Sequence, residues 1–250
     1  MGTLKGRWSL VTRNGPGTGL PWDAIECDAM ARQRSAGKLK ICELFSPPRL
    51  SSLGSREVEF TSPPNFDFTT GWDFFDALDR AAFWKCLRDQ KPDLVTMSPE
   101  CRPISILMNS NRSKMEPGEV LRLRTQGLAM LQFCVQVAEY QISRGKFFWL
   151  EQPATASSLA THAVKWLLEQ RDVCLLRFDQ CAAGLPVVPD TLSKKPTASI
   201  TNHVGLMHEL SKLQCDGSHT STLGEWASQE SSALSRWSAS GHAARRAVAA

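Results

Sequence analysis

The stretch "PDLVTMSPECRPIS", residues 92–105, decides how the chain reads. Its opening, Pro92 to Met97, is the short apolar run of a buried strand. It then breaks into Ser98-Pro99-Glu100-Cys101. A plain turn needs no thiol beside a carboxylate. An active-site loop at a strand end does.

Working outward, the flanks repeat the pattern. Residues 38–45 (KLKICELF) form a first strand, and Ser46-Pro47-Pro48-Arg49 ends it, because proline removes a ladder donor. Residues 56–60 form a second, short strand, and residues 62–72 a loop. Residues 74–90 have helical periodicity, with Leu78, Ala82 and Leu87 near one face. Residues 119–144 form a long helix with a stripe of Leu128, Leu131, Val135, Ala138 and Ile142, closed by Gly145. The strand at 146–150 runs into Glu151-Gln152-Pro153. A helix at 158–170, a strand at 172–178 and a last strand at 197–201 complete the order.

Strands alternating with helices of ten or more residues predict an α/β fold: a doubly wound, mostly parallel sheet with helices on both faces. The ligand crevice of such a sheet lies at the carboxyl ends of its strands. Three unusual peptides fall there: Glu43-Leu44-Phe45-Ser46-Pro47-Pro48, Ser98-Pro99-Glu100-Cys101 and Glu151-Gln152-Pro153. Residues 1–36 read as a loosely structured lead-in, 37–215 as the α/β domain, and 216–250 as a flexible Ser/Ala-rich tail.

The 250 residues carry 42% hydrophobic and 22% charged side chains, ordinary for a globular protein. No apolar run reaches the ~18 residues a membrane span needs. None of the eight cysteines makes a C-x-x-C pair, which argues against a zinc site and predicts no metal. Most lie in apolar surroundings, as buried reduced thiols of an intracellular protein do, nuclear or cytoplasmic. Cys101 is the exception. The net charge of +4 permits nucleic-acid contact, and Arg102, Arg112 and Lys114 cluster just after Cys101. His203, His208 and His219 are too spread for a ligand set and read as surface residues. Nothing in the chain sets an oligomeric state.

Taken in order, these motifs resemble those of the cytosine-5 DNA methyltransferases. In that family a P-D-L-V strand leads to Pro-Pro-Cys-Gln-Pro-Phe-Ser; here Pro92-Asp93-Leu94-Val95 leads to Ser98-Pro99-Glu100-Cys101-Arg102-Pro103-Ile104-Ser105. A second family strand ends in Glu-Asn-Val, and here Phe147-Phe148-Trp149-Leu150 ends in Glu151-Gln152-Pro153. The first ends in Asp-Leu-Phe followed by glycines, here Glu43-Leu44-Phe45-Ser46-Pro47-Pro48. The likeness spans roughly residues 38–220 and is similar to a divergent branch met in retroelement-related reading frames.

The resemblance implies a Rossmann-like methyltransferase that binds S-adenosyl-L-methionine and methylates C5 of cytosine in DNA. Cys101 would be the nucleophile toward a flipped-out base, Glu151 would hold or protonate N3, and Lys195 would stand in for the family's late arginines. It further implies cofactor contacts from Glu43, Phe45, Ser46 and Ser98. An acid near the end of the second strand, Glu57 or Glu59, would take the ribose hydroxyls, and Asp73 would touch the adenine. Arg102, Arg112 and Lys114 would meet DNA phosphate. Pro47 and Pro48 stand where the family has glycines and supply no N–H. Glu100 beside the thiol disfavours the thiolate. These two departures keep open the alternative of a catalytically inactive domain of the same fold that binds nucleic acid or a protein partner.

Overall fold

The structure is a computed structural model that describes residues 38–53, 58–100, 115–184, 186–188, 191–192 and 195–218. The chain divides into two compact units: residues through Phe178 together with Thr197–Lys212, and Asp179–Pro196 together with the residues from Leu213 on.

The first unit is built on a six-stranded mixed sheet flanked by helices, compatible with a Rossmann-like fold. Its strands are β1 (Leu39–Leu44), β2 (Val58–Phe66), β3 (Leu94–Met97), β4 (Phe147–Pro153), β5 (Cys174–Asp179) and β8 (Pro196–Thr201). The spatial order is β2-β1-β3-β4-β8-β5. β2, β1, β3 and β4 run parallel, and β8 is antiparallel to β4. The helices are α1 (Leu50–Leu53), α2 (Ala77–Gln90), α3 (Pro117–Ser143), α4 (His162–Leu168) and α5 (Val204–Ser211).

Local chemistry sets the helix ends. Asp76 caps α2 by accepting from Leu78 N, and Thr161 caps α4 by accepting from Val164 N. Pro117 occupies the first turn of α3, where its missing N–H costs nothing, and Gly145 follows the helix at φ 64°. The stripe of α3 buries Leu131, Val135 and Ala138 as its periodicity predicts, with Phe133, Cys134 and Val137 besides. α2 departs from its reading. Its buried face is Phe83, Cys86 and Leu87, while Leu78 is 76% exposed. Leu78 belongs to the first turn, outside the part of the helix that packs.

The core lies between the sheet and α2, α3 and α4. Phe66, Phe74, Phe83 and Phe133 meet edge-to-face or tilted, with ring centroids 5.0–5.7 Å apart. Polar side chains stitch the opposite, amino edge of the sheet. Asp93 Oδ2 accepts from Lys40 N (2.9 Å), and its Oδ1 pairs with Lys146 Nζ (2.5 Å). The fully buried Gln141 donates to the carbonyls of Pro92 and Phe147. Asn202 accepts from Phe148 N and donates to Lys146 O, standing in for a strand neighbour.

β2 is longer than its sequence predicts. It runs to Phe66 rather than Phe60, through Pro63 and Pro64. As the edge strand it needs no donor on its outer side, and a bulge between the Ile41–Phe60 and Glu43–Asn65 pairs absorbs the prolines. His203 also departs from its reading as a surface residue. It is buried, its Nδ1 accepts from Leu206 N (3.0 Å) to cap α5, and its ring packs on Phe147.

In the second unit, β6 (Pro186–Val188) and β7 (Thr191–Leu192) pair antiparallel. A 3-10 turn at Gln180–Ala183 opens the unit, and Gln180 N donates to Lys195 O (3.1 Å).

Candidate functional site

The sheet order reverses beside β1: the chain goes from β1 outward to β2, then returns to place β3 on the other side. Such a switch point leaves a crevice outside the carboxyl ends of the two central strands. The register fixes what stands there. Leu44 pairs with Met97, and Met97 with Leu150. One residue further along lie Phe45, Ser98 and Glu151, a row on neighbouring strands about 4.8 Å apart. Ser199 of β8 pairs with Glu151 and extends the row.

The exit from β1 is tightly specified. Phe45 has φ 56°, a left-handed conformation uncommon outside glycine. Phe45 N donates to Phe66 O (2.8 Å), and its ring packs on Phe74 at 4.8 Å. Ser46 is buried; its hydroxyl donates to Pro47 O and its carbonyl accepts from Asn65 Nδ2. Glu43, only 1% exposed, accepts four hydrogen bonds. Oε1 takes Arg49 N and Leu50 N at 3.2 and 3.0 Å; Oε2 takes Ser51 N and Ser51 Oγ at 3.1 and 2.8 Å. The carboxylate expected at the cofactor is thus engaged by the first amides of α1. Where Pro47 and Pro48 offer no N–H, the next three amides are turned inward onto the protein's own acid.

The longer β2 corrects one expected contact. Glu59 pairs with Lys40 and its carboxylate meets Lys40 Nζ at 3.1 Å. That is four residues, about 13 Å at ~3.3 Å per residue, before the carboxyl end of β1. Glu57 lies outside the described residues. The acid at the true end of β2 is Asp67. Its Oδ1 accepts from Thr69 N and Thr69 Oγ1, which caps a 3-10 turn at Phe68–Thr70. The Asp67 side chain also accepts from Thr70 N, and Thr70 Oγ1 accepts from Asp67 N in return, which closes a capping box. Sequence reading missed Asp67 because it ended the strand at the first proline. The signal was present in Asn65-Phe66-Asp67, an apolar residue followed by an acid. Asp73 sits at the entry to α2, where its Oδ1 accepts from Phe75 N and its own N–H donates to Asp79.

Around Glu151 the sheet is joined to the β3 loop. Ser98 Oγ donates to Glu151 Oε2 at 3.4 Å. The buried Gln152 donates to Pro99 O at 3.4 Å and accepts from Ser158 Oγ at 2.9 Å. Two buried polar atoms on the Glu151 face have no hydrogen-bond partner among the described residues: Trp149 Nε1 and Ser199 Oγ. They flank the carboxylate, Ser199 across the strand pair and Trp149 two residues earlier on β4. A buried polar group left without a partner is costly.

Cys101, Arg102, Arg112 and Lys114 lie outside the described residues. Lys195 belongs to the second unit. Burial pushes the thiols of Cys86, Cys134 and Cys174 up and that of Cys42 up to about 12, which makes these cysteines poor nucleophiles. Among the described residues no group of three His, Cys, Asp or Glu could hold a metal, and no helix is long and apolar enough to cross a membrane.

No family model, curated protein or solved structure matches the chain.

Proposed function

We propose that the chain is an S-adenosyl-L-methionine-dependent methyltransferase acting on C5 of cytosine in DNA, with Cys101 as nucleophile and Glu151 as the group that holds the base. The observation that carries this reading is the Ser98–Glu151 hydrogen bond at the switch point. It starts the Cys101 loop against the carboxylate. Two residues separate Ser98 from Cys101, three residue steps or at most about 11 Å of extended chain. A thiol and an acid can therefore approach one base from different strands.

The residues present fit the cofactor at its nucleoside end. Asp67 offers an acceptor at the end of β2, with Trp72 packed on Phe66 behind it. When bound, S-adenosyl-L-methionine supplies the electrophilic methyl group. The chain supplies the rest. The Cys101 thiolate adds to C6 of the flipped cytosine, which raises electron density at C5. Glu151 donates to or protonates N3 and so stabilises the adduct. Trp149 Nε1 and Ser199 Oγ keep the carboxylate in a polar setting. Arg102, Arg112 and Lys114 would meet the DNA backbone.

The test is a calorimetric titration of the full chain with S-adenosyl-L-methionine, followed by transfer of its labelled methyl group to duplex DNA. Binding with transfer, lost in Cys101→Ser and reduced at least 100-fold in Glu151→Gln, is the expected result. Absence of cofactor binding would remove the reading.

A second reading is favoured by one feature, the Glu43 carboxylate. It occupies the amides that a glycine loop leaves for a ligand. We infer from this the alternative of an inactive domain that binds nucleic acid without cofactor. DNA retention that is salt-sensitive and indifferent to S-adenosyl-L-methionine would select it.

A further inference from the structure

We propose that Cys181 and Cys215 form a redox modification site, where a low-molecular-weight disulfide such as oxidised glutathione converts the two thiols into one intramolecular disulfide. Both belong to the second unit, and the methyl-transfer reading uses neither.

The backbone brings the two together. Cys181 sits on the 3-10 turn that follows β5, and Gly184 N donates to Cys181 O (2.9 Å) as the turn closes. The stretch after α5 returns alongside it. Asp179 N donates to Leu213 O (2.9 Å), and Cys215 N donates to Asp179 Oδ2 (3.1 Å). Two residues before Cys181 and two before Cys215 are therefore already hydrogen-bonded to each other. This pairing makes Cys215 a neighbour of Cys181, near enough to push its thiol up. Closing the two thiols to the ~2.05 Å of a disulfide needs side-chain rotation between stretches that the backbone holds side by side.

The two thiols differ in access. Cys181 is buried and Cys215 is half-buried. Burial pushes the Cys181 thiol up, and the neighbouring Cys215 and Asp179 add to this. Cys215 is thus the point of entry and Cys181 the resolving thiol. In the first step the Cys215 thiolate attacks one sulfur of glutathione disulfide; a Cys215–glutathione bond forms and one glutathione leaves as thiolate. In the second, the Cys181 thiolate attacks Cys215 Sγ; the Cys181–Cys215 bond forms and the second glutathione leaves. The protons of the two protein thiols end on the two glutathiones. The protein pair is oxidised by two electrons and glutathione disulfide is reduced by two. The product is a covalent loop from residue 181 to residue 215 that contains Lys195.

The full chain is incubated with oxidised glutathione, alkylated without reduction, digested with trypsin and analysed by mass spectrometry. Cleavage after Arg177, Lys194, Lys212 and Arg236 puts Cys181 and Cys215 alone in separate peptides, 178–194 and 213–236. The expected product is those two peptides joined, and separated again by dithiothreitol. Cys181→Ser should instead accumulate glutathione on Cys215, and Cys215→Ser should leave Cys181 alkylatable. A stable glutathione adduct on wild-type Cys215, or linkage of either cysteine to a different one, would overturn the assignment. The readout involves neither cofactor nor DNA, so it stands or falls apart from the methyltransferase reading.

Discussion

Replacing Glu43 by glutamine keeps the shape of the side chain and removes its charge. The amide oxygen can still accept from Arg49 N and Leu50 N, as Oε1 does at 3.2 and 3.0 Å. The amide NH₂ then stands where Oε2 accepts from Ser51 N. Two donors face each other, and Ser51 N loses its partner. An unmade buried bond of this kind costs about 1–3 kcal/mol, and the remaining bonds lose their charge assistance. Arg49 to Ser51 are only partly buried, so water recovers some of this. The expected net cost is about 2 kcal/mol, and about 3 kcal/mol for Glu43→Ala, which empties the site. Against a stability of about 5–15 kcal/mol the variants stay folded. Urea unfolding followed by tryptophan fluorescence and circular dichroism should show the midpoint fall by roughly 1 M for glutamine, taking a slope near 2 kcal/mol/M. Ser51→Ala, which deletes only the 2.8 Å hydroxyl bond, should cost about 1 kcal/mol. It should also be non-additive with Glu43→Gln, because both act on Oε2. A Glu43→Gln midpoint within 0.2 M of wild type would refute the idea that this carboxylate anchors the β1 loop.

Three further outcomes follow from the same geometry. Burial lowers the pKa of His203 below its ordinary 6.5, so the folded state prefers the neutral ring whose Nδ1 caps α5. The stability this gives is full above about pH 6.5 and is lost as pH falls through the lowered value; Asn at 203 caps without titrating and should flatten the loss in thermal melts between pH 7 and 5, whereas an unchanged slope would exclude His203 as its source. Ser199→Ala deletes a buried hydroxyl with no partner among the described residues, so the free protein should gain about 1 kcal/mol in urea unfolding, and a loss of that size would show that the hydroxyl is satisfied. Asp93→Ala removes both the acceptor for Lys40 N and the partner of Lys146 and should cost about 2 kcal/mol, while Lys146→Met, losing only a part-exposed ion pair, should cost under about 1 kcal/mol; the reverse ranking would place the strength in the ion pair.

The alternation of strands and helices was legible because its carriers are periodic: the α3 stripe and the apolar runs of β1, β3 and β4 bury as their spacing says. What was hidden depends on position in the sheet. Prolines at 63 and 64 stop a central strand but not an edge strand with a bulge, and no local signal says that β2 is the edge. Ending the strand at Phe60 made Glu57 or Glu59 its terminal acid, whereas the strand runs to Phe66 and is followed by Asp67. α5 was invisible for a similar reason. It is eight residues long, and its cap is a histidine rather than the usual Ser, Thr, Asp or Asn. The reversal of β8 between β4 and β5 leaves no trace in a strand's own composition.

Glu43 and Glu151 look alike in the sequence, each an acid near the end of a strand with a proline two to four residues further on. Their surroundings give them different capacities. Glu43 is buried with four donors at 2.8–3.2 Å, and a ligand could engage it only by breaking those bonds. Glu151 is half-buried, and its contact with Ser98 at 3.4 Å is longer than the 2.5–3.0 Å usual between hydroxyl and carboxylate. The orphaned Trp149 Nε1 and Ser199 Oγ beside it gain partners when a polar edge enters. The β1 loop is thus closed on its own acid, whereas the Glu151 carboxylate is half-buried at the end of β4. A cofactor held here would rely on the Asp67 end and on the row from Phe45 to Ser199, rather than on loop amides. On that basis Asp67→Asn should weaken S-adenosyl-L-methionine binding at least tenfold in calorimetry, while Glu59→Gln should leave it unchanged.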